Sequence, residues 1–212
     1  MPGKVELDSR NHEEARCEGF AVILSGASGA GKGSVIDRLR KLRSDFVLSI
    51  STTTRKPRSE ASVGEHYQFV SEAEFHQLVS DGAFLEWAEV HGNLYGTRKI
   101  WVEEKVREGW IVVLEIDVQG ALQVMGRKVD CASVFVTPSD RKVAHDRLRA
   151  RGTETVEEIE RRIKNSDWEY AQMNQFDYIV VNDSGKLDEA AMTINAIMTA
   201  ERARMGRCGI RP

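Results

Sequence analysis

The sequence predicts an α/β protein built on a mainly parallel sheet flanked by helices. Three observations carry that prediction. Short apolar runs recur, as in FAVILS (Phe20–Ser25), WIVVLE at the start of Trp110–Gly120, and ASVFVTP (Ala132–Pro138). Such runs are the pattern of strands buried on both faces. Amphipathic stretches alternate with them along the chain. The first run opens into SGASGAGKGS, Ser25–Ser34, where strand, glycine-rich turn and amphipathic helix follow one another as a phosphate-binding loop requires.

Taken in order, residues 1–18 are polar and acidic and read as a flexible tail. After the loop, Val35, Ile36, Leu39 and Leu42 share one helical face. FVLSIS (Phe46–Ser51) reads as one strand, and HYQFV as a short one. In SEAEFHQLVSDG, Ser71 caps a helix, Glu74 completes a capping box, and Phe75, Leu78 and Val79 form the buried stripe, with Gly82 as the stop. AFLEWAEVHGNLYGT alternates as a hairpin does, and TRKIWVEEKVREG is helical up to Gly109. Trp110–Gly120 is read as a buried strand running into acid. Residues from Ser139 to about Trp168 are helical and dense in charge, broken at Gly152. FDYIVVND is the last strand and KLDEAAMTINAIMTAERARMG the closing helix.

Composition narrows the class. The 212 residues suffice for one sizeable core, and 41% hydrophobic with 30% charged residues are ordinary for a soluble domain. The net charge of −3 gives no global basic field for nucleic acid. No apolar run is long enough for a membrane span, and the first 19 residues lack the apolar stretch of a secretory signal. Cys17, Cys131 and Cys208 are widely spaced and odd in number, which speaks against a disulfide framework or a metal site. A reduced, cytoplasmic protein is the expectation. His12, His66, His76, His91 and His145 show no metal-ligand spacing, and Trp87, Trp101, Trp110 and Trp168 read as packing residues.

The loop chemistry is specific. Backbone amides of Ala27, Ser28, Gly29, Ala30, Gly31, Lys32, Gly33 and Ser34 can face inward on an anion, with the positive end of the following helix behind them. Lys32 brings a mobile positive charge to the terminal phosphates. The usual pattern has a hydroxyl directly after the lysine. Here Gly33 stands there and Ser34 follows, leaving Ser34 as the hydroxyl for a metal ion. A second acid-bearing motif, LEIDVQGA, sets Asp117 at the carboxyl end of a strand, where open α/β sheets bind ligands. Asp117 fits an acid that orients Mg²⁺ and its waters, with Glu115 on the same face. DVQG also matches, weakly, a GTPase switch, but the base-reading Asn-Lys-x-Asp of those proteins does not occur.

In SISTTTRKPRSEASVGEHY, Arg55 and Arg58 are spaced to clamp a phosphate. Together, STTTRKPR, GEHYQFVS, FLEWAEVHGNLYGT, LEIDVQGA and RGTET, in that order, resemble guanylate kinase from about Phe20 to about Ala200. The resemblance implies an ATP- and Mg²⁺-dependent phosphorylation of GMP, and of dGMP. It implies a P-loop core (19–50, 111–138 and 169–207), a small inserted α+β GMP-binding subdomain with its connecting helix (51–110), a helical lid (139–168) and a short tail (208–212). By the same resemblance Arg55 and Arg58 hold the GMP phosphate, helped by Tyr67 and Tyr95. Glu86 reads guanine, Ser51 and Thr97 line the base pocket, and Glu115 belongs to the GMP site. Thr97 is a mild departure, since serine is common there.

Arg147, Arg151 and Arg162 match lid arginines that stabilise the moving phosphoryl group, with Arg149 and Arg161 off the implied face. Asn182, in VND, matches a segment near adenine. Lys32, Arg55, Asp117 and the three lid arginines are the implied catalytic set, and Ser34 with Asp117 the implied metal ligands. The partners implied are the two nucleotides, with no nucleic acid or membrane, acting on a monomer or homodimer. A guanylate-kinase-like interaction module that binds without catalysis is the alternative, at odds with the retained Lys32, Arg55, Arg58, Glu86 and Asp117.

Overall fold

The computed structural model describes residues 19–57, 67–90, 92–127, 129–150, 156–204 and 207. Phe20–Ser25 is buried along its whole length and forms β1, the middle strand of a five-stranded sheet. Its partners are β2 (Phe46–Leu48), β7 (Ile111–Glu115), β8 (Cys131–Thr137) and β9 (Tyr178–Val181), in the order β2-β7-β1-β8-β9. All pairings in this sheet are parallel. The pleat sends alternate side chains to opposite faces. Val22 and Leu24 meet Val35, Ile36 and Leu39 of α1 (Lys32–Leu39) and Ile194 and Met198 of α7 (Leu187–Arg202). Ala21 and Ile23 meet Val102 of α3 (Lys99–Arg107) and Val118, Ala121 and Val124 of α4 (Val118–Gly126). The expected sheet, covered on both faces, is therefore present.

Four more strands make a second, mixed sheet in the order β4-β3-β6-β5: β3 (Ser51–Thr53), β4 (Tyr67–Phe69), β5 (Phe84–Val90) and β6 (Asn93–Arg98). The helix α2 (Glu72–Ser80) lies between β4 and β5 in the chain, and both halves of its Ser71–Glu74 capping box are formed. Its Phe75 ring stacks on Phe84 with centroids 4.6 Å apart, closing the small core beneath this sheet. Two helices, α5 (Arg141–Ala150) and α6 (Val156–Ala171), fill the segment between β8 and β9. α6 runs unbroken across the expected lid boundary at 168.

The structure departs from the sequence reading in several places. Of the stripe expected in α2 only Phe75 is buried, with Leu78 and Val79 half-buried. Phe46–Ser51 is two strands, because the partner changes: Ser49 N–H still bonds the Val113 carbonyl, at 2.9 Å, whereas Ser51 pairs with Thr97 and Tyr67 of the other sheet. The strand expected to reach Gly120 stops at Glu115, and α4 follows. Asp117 caps that helix, its Oδ1 accepting from Gly120 N–H at 2.8 Å. Leu42 lies past the end of α1 and is exposed.

The unforeseen α4 carries the small sheet. Gln123 Nε2 donates to the Trp87 carbonyl at 2.7 Å and its Oε1 accepts from Trp87 N–H at 3.3 Å, while Arg127 donates to the Phe84 carbonyl at 3.0 Å. The start and the middle of β5 are thus tied to the core through one helix.

Candidate active site

The turn between β1 and α1 is walled in. Gly29 and Gly31 both have φ of 85°, a left-handed backbone that a side chain would strain. There is also no room for one. A Cβ at Gly29 would lie 2.3 Å from the Ala144 carbonyl oxygen of α5, and one at Gly31 would lie 2.7 Å from Asn182 Nδ2. Asn182 Nδ2 donates to the Ala30 carbonyl at 2.8 Å, and Arg147 donates to the Asn182 carbonyl at 2.9 Å. Asn182 and Arg147 therefore brace the loop from behind. Arg147 faces a small hollow of about 300 Å³ shared with Val143, Asp146, Ala150 and Ser184.

In front of the loop lies a cleft of about 900 Å³. Gly26, Ser28 to Gly33, Ser51, Arg55, Tyr67, Glu86, Tyr95, Glu115, Asp117 and Arg162 all line it. Arg55 and Arg162, 107 positions apart, line one cleft with the loop because β3 leaves β2 at the carboxyl end of the parallel sheet, where loops of such sheets converge. Lys32 Nζ donates to the Gly26 carbonyl at 2.8 Å. Burial pulls its pKa down, while Glu115, Glu169 and Asp117 pull the other way. Ser34 is exposed at the start of α1, and Ala27 is buried beneath the loop.

The register of the small sheet explains the rest of the wall. Tyr67, Ser51, Thr97 and Glu86 are neighbours across β4, β3, β6 and β5 and form one cross-strand row. Tyr95, two residues from Thr97, shares their face by the strand period. The pairing of β5 shifts between Phe84 and Glu86, a bulge of the kind that re-aims a side chain beside a site. Tyr67 and Tyr95 rings meet edge to face at 6.3 Å. Thr97 is fully buried, and its hydroxyl donates to Glu86 Oε1 at 2.6 Å, so it positions that carboxylate.

Glu86 is a carboxylate under electrostatic stress. It is 4% exposed, and burial raises its pKa to about 7, with the Thr97 hydroxyl opposing and Asp117 adding to the rise. Asp117 stands close by. A Cβ at Gly120 would meet Glu86 Oε2 at 2.5 Å and Asp117 Oδ1 at 3.1 Å. The two carboxylates converge over a glycine whose side chain would fill their space. This pair of acceptors suits a ligand edge carrying adjacent donors.

Among the described residues no group of three or more His, Cys, Asp or Glu forms a ready-made metal cage. The oxygens of Ser34, Glu115 and Asp117 are hard donors of the type Mg²⁺ takes, and that ion commonly arrives on phosphates with few protein ligands. The residues present fit such an ion.

Arg58 and Arg151 lie outside the described residues. Sequence reading missed Gly120, whose signal is only a small residue after an N-cap acid. It also missed Glu169, within a charged helix, whose Oε2 accepts from Ser28 N–H at 3.1 Å. Trp168, expected in packing, is 49% exposed and lines the cleft. Arg149 pairs with Asp146 at the surface, away from the cleft lining.

Comparison with known proteins gives one answer. The guanylate kinase family model matches residues 19–201. A guanylate kinase of Caldanaerobacter subterraneus subsp. tengcongensis is 41% identical over 90% of this chain and 91% of its own. One of Nitrosomonas europaea is 43% identical over 86% of this chain and 90% of its own. Among solved structures, guanylate kinase from Anaplasma phagocytophilum superposes with a TM-score of 0.71 at 31% identity, covering 90% of each chain.

The Glu86 environment makes a stability prediction. Its folded pKa lies above that of an unfolded glutamate, so the ligand-free fold loses stability as pH rises from about 4.5 to about 7. Glu86→Gln keeps an acceptor for Thr97 and removes the charge. Thermal melts without ligand should show the variant more stable than wild type at pH 8, by up to about 3 kcal/mol, and equal at pH 4. A variant less stable at pH 8 would contradict the burial cost.

Proposed function

The chain belongs to the guanylate kinase family and is an ATP:GMP phosphotransferase, and we propose that the cleft performs this reaction with the following division of labour. The loop amides and Lys32 hold the β and γ phosphates of ATP. Lys32 gives up the Gly26 carbonyl for a charged acceptor, a stronger partner. The adenosine end extends past Gly31 to the hollow beside Arg147 and Asn182. Opposite, Arg55 neutralises the GMP phosphate, Arg58 acts with it, and the Tyr67 and Tyr95 hydroxyls donate to it.

Glu86 reads the base. An ionised carboxylate accepts from guanine N1–H and its exocyclic amine, donors that adenine lacks at that edge. Asp117 offers a further acceptor alongside, and Ser51 lines the same pocket. The single observation that carries this reading is the buried Glu86 carboxylate, aimed by Thr97 into the cleft that the phosphate loop also lines.

With both nucleotides held, an oxygen of the GMP phosphate attacks the γ phosphorus and the bond to the ADP oxygen breaks. The acceptor is already an anion, so no general base is required. Alignment and charge neutralisation carry such transfers. Arg162, and Arg151 with it, supply positive charge to the phosphoryl group in flight, a role worth about 10³–10⁵ in rate in related chemistry. Mg²⁺ bound with ATP would screen the phosphoryl oxygens, with Ser34 and Asp117 as the chain's own oxygens for it or its waters. Closure of α5 and α6 over the cleft excludes water. We assign dGMP as a second acceptor.

Coupled assay of ADP formation with GMP, dGMP, AMP and UMP should rank GMP first. Preference for AMP would overturn the role of Glu86. The same assay carries a pH signature. Only ionised Glu86 accepts from guanine, so the KM for GMP should rise about fourfold from pH 8 to pH 6.5, where the GMP phosphate is still largely dianionic. A KM for GMP that is flat across this range would contradict the assignment.

A further inference from the structure

Glu169 sits in the last turn of α6, half-buried, on the cleft wall beside the phosphate loop. Its Oε2 accepts from Ser28 N–H at 3.1 Å, and Arg162 Nη2, seven residues earlier on the same helix, approaches Ser28 Oγ at 3.5 Å. One loop residue is therefore gripped twice by the lid helix, at its amide by an acid and at its hydroxyl by a base. Lys32 and Arg162 both act on the Glu169 carboxylate electrostatically, and Glu169 acts back on Lys32. An anion is thus already stationed at a loop whose amides and lysine are arranged for anions.

We propose that Glu169 is the resident counter-ion of the phosphate loop and sets its affinity for ATP. In the empty cleft its carboxylate balances Lys32 and Arg162 and ties α6 to the Ser28 amide. When the triphosphate arrives, the same negative charge opposes it, so nucleotide binds less tightly than the loop alone would bind it. Glu169 thereby acts through Lys32, Arg162 and Ser28 as a positioning residue. The benefit to a turning-over enzyme is release of ADP, which leaves the same amides and the same lysine. This inference rests on the reading that the loop takes the ATP phosphates.

Burial pushes the Glu169 pKa up, while the Ser28 amide, Lys32 and Arg162 hold it down. The carboxylate therefore depends on these partners for its charge. Replacing it by glutamine keeps an oxygen for the Ser28 amide and removes only the charge, which separates bracing from electrostatics.

The test is titration calorimetry of the purified protein with a non-hydrolysable ATP analogue, with ADP, and with GMP, in wild type and Glu169→Gln. The variant should bind the analogue and ADP about tenfold more tightly, since one opposing charge in a partly buried site is worth at least that factor. GMP should bind as in wild type, which also reports an intact fold. In steady state the KM for ATP should fall while that for GMP stays. Unchanged or weaker binding of the analogue, with GMP binding intact, overturns the proposal. If Glu169→Gln does not fold, Glu169→Asp draws the charge back by one methylene and should tighten the analogue about two- to threefold, with no gain again overturning it. Wild type failing to bind the analogue at all would instead sink the ATP reading of the loop.

Discussion

The loop after β1 depends on glycine where its backbone turns left-handed and its walls close in. Gly29 and Gly31 meet the Ala144 carbonyl and the Asn182 amide at distances that exclude a Cβ. That contact ties β1, α5 and the end of β9 into one unit, with the Ala30 carbonyl as the shared acceptor for Asn182 and Arg147. A braced turn of backbone amides is what a phosphate needs, since its backbone is already held in place when the anion binds. The remaining site residues are placed by elements that grow out of this unit.

The acceptor side follows another logic. Its residues sit on a small sheet whose own core is thin, so its placement depends on α4, which grips the backbone of β5 through Gln123 and Arg127. The Glu86 row gains its direction from strand register and its cost from burial. An acid held at 4% exposure, its ionised form supported chiefly by Thr97, is destabilising in the free protein. A ligand that brings two donors relieves that cost, so stability given up in the empty state reappears as selectivity for the base. Asp117 at the N-cap of α4 belongs to both halves, since it acts on Lys32 and on Glu86.

Much of this was legible in the residues. The apolar run Phe20–Ser25 followed by glycines and Lys32 specifies strand, loop and helix through sterics alone, and β1 and the capping box of α2 occur where expected. The break after Ser49 was not legible, because alternation continues unchanged while the pairing partner switches sheets. α4 was missed although Val118, Ala121 and Val124 recur at helical spacing, because the apolar run of β7 continues through Ile116 and Val118 and hides Asp117 as an N-cap. Glu169 was hidden for the opposite reason. In a helix crowded with charge, nothing in the spacing marks Glu169 as an acid that turns toward a loop 141 residues away. Long-range partners of this kind are set by packing, not by local pattern.

The central claim is that one cleft holds two nucleotides through separable chemistry, phosphates on the loop and guanine on Glu86. Titration calorimetry at pH 8 of GMP and of a non-hydrolysable ATP analogue into wild type and Glu86→Gln tests it directly. In the variant an acceptor becomes a donor facing a donor, so GMP binding should weaken at least about 100-fold. The ATP analogue should bind as before. Equal loss for both nucleotides, or GMP binding left intact, would contradict the account.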